Sequence, residues 1–423
     1  MKLKISNFAK IEEADIKIDG ITVICGENDT GKSTISKILF SIFNYDIFKN
    51  KRIEKDLKDK IFNILRKINS KNRVGAIIFF QRHSPIIDKI FNYINTSNNI
   101  SREKLVDMLK NNTIINRYVT DNEIFYEITD DILKVMSISE DKLKFQIMND
   151  YFENIFENQI NNLFNKNSNA KLELEIKKQK INIEFKNDEC VKFESDFNII
   201  NNALYIDDPF IVNYINSNIN TNNFILKKTI DDFFTNNNKN VFDSVKNKEI
   251  LEKVYDVLNN IVNAKIVNKD DDFYLHYNEN DIEIKLGNLS AGLKSFVIIK
   301  RLLENGSLNE KDVLILDEPE IHLHPKWQLI YAELIVLLQK YFNLTITITT
   351  HSHYFLEAIN RFSKRHNIDE RVNFYITELA DNKCNVVFKN VNDNLDIIYE
   401  KMYEPLEILS NIREEQDNEK KDS

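Results

Sequence analysis

Glycine is scarce in this chain, with seven among 423 residues. A sequence that avoids glycine keeps it where backbone must turn sharply or approach something closely, so its placement is informative. Gly26 and Gly31 fall in one short stretch, and Gly287 and Gly292 in another. Cysteine is scarcer still. Cys25, Cys190 and Cys384 lie far apart with no CxxC spacing, which argues against a disulfide framework or zinc knuckle and for a reducing, cytoplasmic setting. No apolar run reaches the roughly 18 residues that a membrane span needs. The N-terminus opens directly on an alternating strand pattern rather than a signal peptide. Positive charge is not in excess either. A net charge of −9 and a pI near 5.5 argue against a surface coated for nucleic acid, while leaving room for a local basic patch.

What is present begins with size. A chain of 423 residues with 42% hydrophobic content exceeds one typical domain and has ample material for a core. Its organising stretch is Gly26-Glu27-Asn28-Asp29-Thr30-Gly31-Lys32-Ser33-Thr34, which reads G-x-x-x-x-G-K-S, a phosphate-binding P-loop. The β-branched run Ile21–Cys25 predicts a buried strand before it. Ile35, Ile38, Leu39, Ile42 and Phe43 recur at helical spacing after it. In that context the loop's N–H groups and the helix N-terminus would hold phosphate oxygens. Lys32 would reach the β- and γ-phosphates, and the Ser33 hydroxyl would ligate Mg²⁺.

Residues 3–8 and 14–18 alternate as strands and, with 21–25, predict a small sheet leading into the P-loop. From about Lys49 the pattern becomes helical, through Ile53–Ile68, 86–94 and Leu143–Phe164. Between 172 and 193 the period switches to two, predicting a hairpin near 171–186. Ala203–Ile206 reads as another short strand, and 210–216 and 248–263 as helices. Asn-rich loops are expected at 216–223 and 235–240. The charged stretch from Arg413 predicts a disordered tail. No internal repeat is visible.

A second set of motifs follows. Residues 273–277 and 282–286 alternate, then lead into Leu289-Ser290-Ala291-Gly292, with Ser290 placed to cap a helix. Val313-Leu314-Ile315-Leu316 is a buried-strand pattern ending in Asp317-Glu318-Pro319. Carboxylates at such a strand end sit where ligands bind in open α/β sheets. Asp317 would hold Mg²⁺, and Glu318 would polarise the water that attacks the γ-phosphate. Leu344–Thr350 predicts a further strand, ending at His351-Ser352-His353. His322-x-His324 with His351-x-His353 also admits a transition-metal reading, but the oxygen ligands here suit Mg²⁺ better. Trp327 and the aliphatic residues after it read as a core helix face.

In this order the P-loop, LSAG, LILDEP and TTHS motifs resemble the head domain of ABC-type ATPases of the SMC/RecF class. The run Asp317–Pro325 together with Thr350–Leu356 looks like the OLD-like branch, which includes ATPase components of bacterial anti-phage systems such as PtuA of Septu. The resemblance covers 1–43 and about 270–390. It implies an α/β fold, an ABC-type P-loop head with a mixed sheet flanked by helices and a mostly helical insertion between P-loop and signature. The expected division is 1–49 head, 50–200 insertion carrying the hairpin, 201–412 head and 413–423 tail. The cofactors implied are ATP and Mg²⁺. His351 would contact the γ-phosphate and attacking water. Ser290 and Gly292 of one subunit would close over the nucleotide of another, making a homodimer. ABC heads also carry a Mg²⁺-sensing glutamine; Gln81 and Asp207 each stand in a candidate place.

Three functions compete. The first is an ATP-driven switch in phage defence that licenses a separate effector, because no TOPRIM-like or HNH-like residue set is evident outside the ATPase motifs. The second is a RecF-like, DNA-binding ATPase in repair, with Lys49–Arg73 as a mixed-charge contact face. The third, a transporter's ATPase subunit, fits poorly with a helical insertion of this size before the signature.

Overall fold

In the computed structural model, the description covers residues 1–71, 84–97, 100–119, 121–138, 140–165, 167–197, 199, 201–214, 223–234, 252–269, 272–278, 281–381 and 384–419. The chain forms two compact units, Met1–Asn44 with Phe152–Ser423, and Tyr45–Tyr151.

The first unit is α/β. Its strands are β1 (Lys2–Phe8), β2 (Ile11–Lys17), β3 (Ile21–Cys25), β4 (Ala170–Ile176), β5 (Gln179–Lys186), β6 (Glu189–Ser195), β7 (Ala203–Ile206), β8 (Lys265–Lys269), β9 (Asp272–Tyr277), β10 (Ile282–Lys285), β11 (Val313–Asp317), β12 (Thr345–Thr350), β13 (Val372–Leu379) and β14 (Val386–Asn390). One mixed sheet has the order β6-β5-β4-β1-β2-β14-β13-β3-β12-β11-β7, and β10-β9-β8 form a small second sheet. The pairings β13–β3, β3–β12, β12–β11 and β11–β7 are all parallel. These central strands are buried along almost their whole length, as strands covered on both faces are. The expected small sheet of the first three strands is not formed as such. β1 pairs with β2, but β14 and β13 stand between β2 and β3.

Helices flank this sheet. The first helix, α1 (Lys32–Lys71), is followed in the second unit by α2 (Pro85–Thr96), α3 (Arg102–Lys110), α4 (Thr113–Tyr118) and α5 (Asn122–Met136), then α6 (Glu140–Phe156). Later come α7 (Phe224–Phe234), α8 (252–259), α9 (Ala291–Glu304), α10 (Pro325–Phe342), α11 (His353–Arg365) and α12 (Asp396–Glu419). The elements of the second unit are all helices among its described residues, and it has its own core, with Ile61, Leu65, Ile87, Ile90, Leu105 and Ile128 all buried. Its helix starts are capped by Ser101, Asn112 and Asp121, each accepting from a backbone N–H of the following turn.

Several expectations need correction. The hairpin placed within the 50–200 insertion belongs to the large sheet. β4 pairs antiparallel with β1, Ile5 opposite Leu172, because the apolar faces of both strands must share one core. The helical period through Phe164 stops at Phe156. Glu157 and Asn158 take positive φ (52° and 61°), and Asn161 then bridges to Phe8. The helical stretch expected at 210–216 is a 3-10 helix, Pro209–Tyr214. The tail expected to be disordered from 413 is helical to Glu419, continuing α12. The loops expected at 216–223 and 235–240 lie outside the described residues apart from Asn223, as does Gln81. No helix among the described residues is long and apolar enough to cross a membrane.

Candidate active site

The P-loop joins β3 to α1, and the close packing around it explains its glycines. A Cβ on Gly26 would overlap Thr377 Oγ1, and Gly31 has φ +74°. Thr377 donates to Thr30 Oγ1 (2.7 Å), which donates to Glu27 O (2.7 Å), so β13 braces the loop from the side. Glu27, Asn28 and Asp29 form the exposed rim, with Asp29 at φ 62° ion-paired to Lys10. Ser33 and Thr34 open the first turn of α1 and are half-buried. Lys32 is buried, and its ammonium donates to Glu27 O at 2.7 Å. Burial pushes the Lys32 pKa down, while the carboxylates of Glu318 and Asp317 oppose that shift.

Those carboxylates arrive from the C-terminal end of β11, two strands from β3. Asp317 is buried and held on both oxygens. The Tyr205 hydroxyl donates to Oδ2 (2.7 Å), and the Thr349 hydroxyl donates to Oδ1. Glu318 sits at φ 50°, its N–H donating to Thr349 Oγ1 at 3.0 Å. Its Oε1 lies 2.9 Å from His351 Nε2, just past the end of β12. Burial, and then the Lys32 charge, push the His351 pKa down from its ordinary value near 6.5, and Glu318 pulls it back up. P-loop, Asp317, Glu318 and His351 therefore converge at one edge of the parallel sheet. A cavity of about 190 Å³ there is lined by residues that include Gly26, Glu27, His351 and Lys401.

Ser290 and Gly292 are placed differently. Ser290 is exposed, and its side chain accepts from Leu293 N–H (3.4 Å) as the N-cap of α9. A Cβ on Gly292 would come within 3.0 Å of His322 O and 3.2 Å of the Trp327 ring. Lys294 is buried beneath this turn, donating to Asn213 Oδ1 (2.8 Å) and Gly287 O (2.9 Å). Among the described residues, no hydrogen bond or ion pair joins Ser290 or Gly292 to Gly26–Thr34.

A family model described as an AAA ATPase domain matches residues 1–356, most of the chain. The chain belongs to the AAA ATPase domain family. Solved structures with similarity to this AAA ATPase include an SMC head domain from Thermotoga maritima, at 12% identity, 92% of this chain, 98% of that one and a TM-score of 0.38. An SmcHead bound to the C-winged helix domain of ScpA matches at 10% identity, 93% and 98% coverage and a TM-score of 0.42. An Smc head domain with an extended coiled coil, bound to the C-terminal domain of ScpA derived from Pyrococcus furiosus, matches at 10% identity, 94% and 98% coverage and a TM-score of 0.35. The family assignment rests on the match over residues 1–356.

The AAA ATPase also holds site residues that the sequence reading passed over. Tyr205 looked like one apolar residue of a short strand, yet its hydroxyl orients Asp317. Thr349 and Thr350 looked like strand formers, yet Thr349 donates to Asp317 at the end of β11 and Thr350 to Glu320 in the β11–α10 loop. Two hydroxyls at the end of the strand that leads into His351 were the available signal. Asp207 directly follows β7, and its carboxyl pKa is raised by desolvation and then by the Asp317 charge, against its own backbone hydrogen bond, which lowers it. The four histidines share no centre. His351 meets Glu318, His322 packs edge-on against Phe210, His324 caps α10, and His353 packs on Tyr354 and Tyr403.

Proposed function

We propose that two copies of this ATPase clasp ATP between them, the P-loop of one and the signature turn of the other supplying the two halves of each site. The observation that carries this reading is that, among the described residues, no hydrogen bond or ion pair joins Ser290 or Gly292 to the P-loop of their own chain. Ser290 is exposed at the positive end of a 14-residue helix, and such an end attracts an anion. On this reading the signature turn offers its helix end to the nucleotide held by the other copy.

Within one half, Gly26, Glu27, Asn28, Asp29, Thr30, Gly31 and Thr34 form the cradle, and Lys32 leaves Glu27 O to meet the β- and γ-phosphates. Ser33 and Asp317 would hold Mg²⁺. Their all-oxygen donor set fits a hard cation, and the Tyr205 and Thr349 hydroxyls keep Asp317 aimed. When bound, Mg²⁺ supplies neutralisation of phosphate charge. Glu318 is the base that polarises the attacking water, and His351, whose pKa burial lowers, bridges Glu318 to the γ-phosphate.

We further read this chain as an OLD-like switch in anti-phage defence, governing a separate effector. The motif order supports this, as does the lack of a TOPRIM-like or HNH-like residue set. A pull-down from the native host with the Glu318→Gln chain, with and without ATP, tests it. ATP-dependent recovery of one effector is expected. DNA or RNA cutting by the purified chain alone, unaffected by Lys32→Ala, would overturn it.

A further inference from the structure

Glu320 is the buried acid that the proposed chemistry leaves unused. It is 5% exposed, two residues beyond Glu318. Its Oε1 accepts two hydrogen bonds from the neighbouring strand end, from Thr350 Oγ1 at 2.6 Å and from the His351 N–H at 2.8 Å. Its Oε2 is buried without a hydrogen-bond partner among the described residues. Burying a carboxyl with half its acceptor capacity unmet costs free energy, so the geometry it enforces is where a compensating role belongs.

That geometry concerns His351. Only His351 and Ser352 separate β12 from α11, so the position of the His351 ring follows from the backbone at Thr350 and His351. Glu320 grips both residues through one oxygen. A circuit then closes around the loop. Thr350 Oγ1 accepts from Ser352 N–H (3.0 Å), Ser352 Oγ donates to Gln328 Oε1 (2.6 Å), and Gln328 Nε2 donates to Leu323 O (3.1 Å) and Glu320 O (3.5 Å). We propose that Glu320 is a positioning residue for His351, its Oε1 fixing the backbone from which the ring reaches Glu318. What the site needs from residue 320 is an acceptor at that point rather than a charge.

The inference rests on the proposed roles of Glu318 and His351, and its test compares two variants. Glu320→Gln keeps an oxygen where Oε1 lies; Glu320→Met keeps the volume and removes the acceptor. Glu320→Gln is expected to hydrolyse ATP within about threefold of the unaltered chain. Glu320→Met should lose roughly tenfold or more in kcat, as misplaced catalytic groups do, with KM and ATP affinity within about twofold. A normal kcat in Glu320→Met overturns the proposal, as does an equal loss in both variants or a loss in ATP binding that matches the loss in rate. If Glu320→Met does not fold, Glu320→Gln decides, since a tenfold loss there also overturns it. Glu318→Gln is measured alongside. A normal rate in Glu318→Gln breaks the reading of the site itself, whereas a normal rate in Glu320→Met alone breaks only this inference.

Discussion

His351 Nε2 lies 2.9 Å from Glu318 Oε1, and the two residues reach each other from the ends of adjacent parallel strands. Thr349 sets this spacing from below. Its hydroxyl donates to Asp317, and both its hydroxyl and carbonyl oxygens accept from the Glu318 N–H. On the proposed reading, a carboxylate beside this imidazole and a buried lysine orients a water and takes its proton.

Glu318→Gln removes the proposed base and spares the proposed phosphate contacts. We expect ATP affinity to persist while kcat falls by about a hundredfold or more, and the ATP-bound dimer to accumulate. Single-turnover kinetics with light scattering checks both.

Gly26→Ala places a methyl group against Thr377 Oγ1. Overpacking of this kind costs about 1–3 kcal/mol, so nucleotide affinity should fall. Adding Thr377→Ala should restore part of the loss. Calorimetric titration of ATP into both variants measures it. Equal affinities in Gly26→Ala and the unaltered chain would show that the loop can move aside.

The His351 imidazole should titrate below its ordinary 6.5, since burial and then Lys32 disfavour the cation and Glu318 favours it. Ring signals followed by NMR in nucleotide-free protein should therefore shift in opposite directions in two variants. Lys32→Ala removes a depressing charge and should raise the midpoint. Glu318→Gln removes a supporting one and should lower it.

Asp312 gives a stability test away from the site. Burial pushes its carboxyl up to about 6 from 3.8, although the backbone N–H groups of Asn309 and Asn202 bond it. Between those values the folded chain binds the proton more tightly than the unfolded one. The contribution is therefore present at low pH and is lost as pH rises through about 6, on the order of 3 kcal/mol in all. Relative to Asp312→Asn, the unaltered chain should lose stability from pH 4 to pH 6. A flat difference in denaturant midpoints would contradict this.

The parts of the molecule that were legible in sequence are those whose physics is local. A β-branched run, a glycine turn and a helical period identify β3, the P-loop and α1. The same holds for Asp317-Glu318 at the end of an apolar strand, and for Ser290 before a helix. The illegible parts depend on distant neighbours. Alternation in 171–186 predicts a hairpin but not that Leu172 faces Ile5 across the sheet. Nothing near Tyr205 in the chain says that its hydroxyl meets Asp317. The charge that made the tail look disordered is compatible with a helix whose first turns are partly buried, Ile398 among them.

The central claim, a nucleotide gripped by two chains, is tested most directly by mixing two inactive variants. Lys32→Ala keeps a sound signature turn and loses its P-loop lysine. Ser290→Arg keeps a sound P-loop and blocks its signature. Each alone should lack ATPase activity, and an equimolar mixture should recover a measurable fraction, because mixed dimers contain one intact composite site. Full activity in Ser290→Arg alone, or a mixture as silent as its components, would contradict the account.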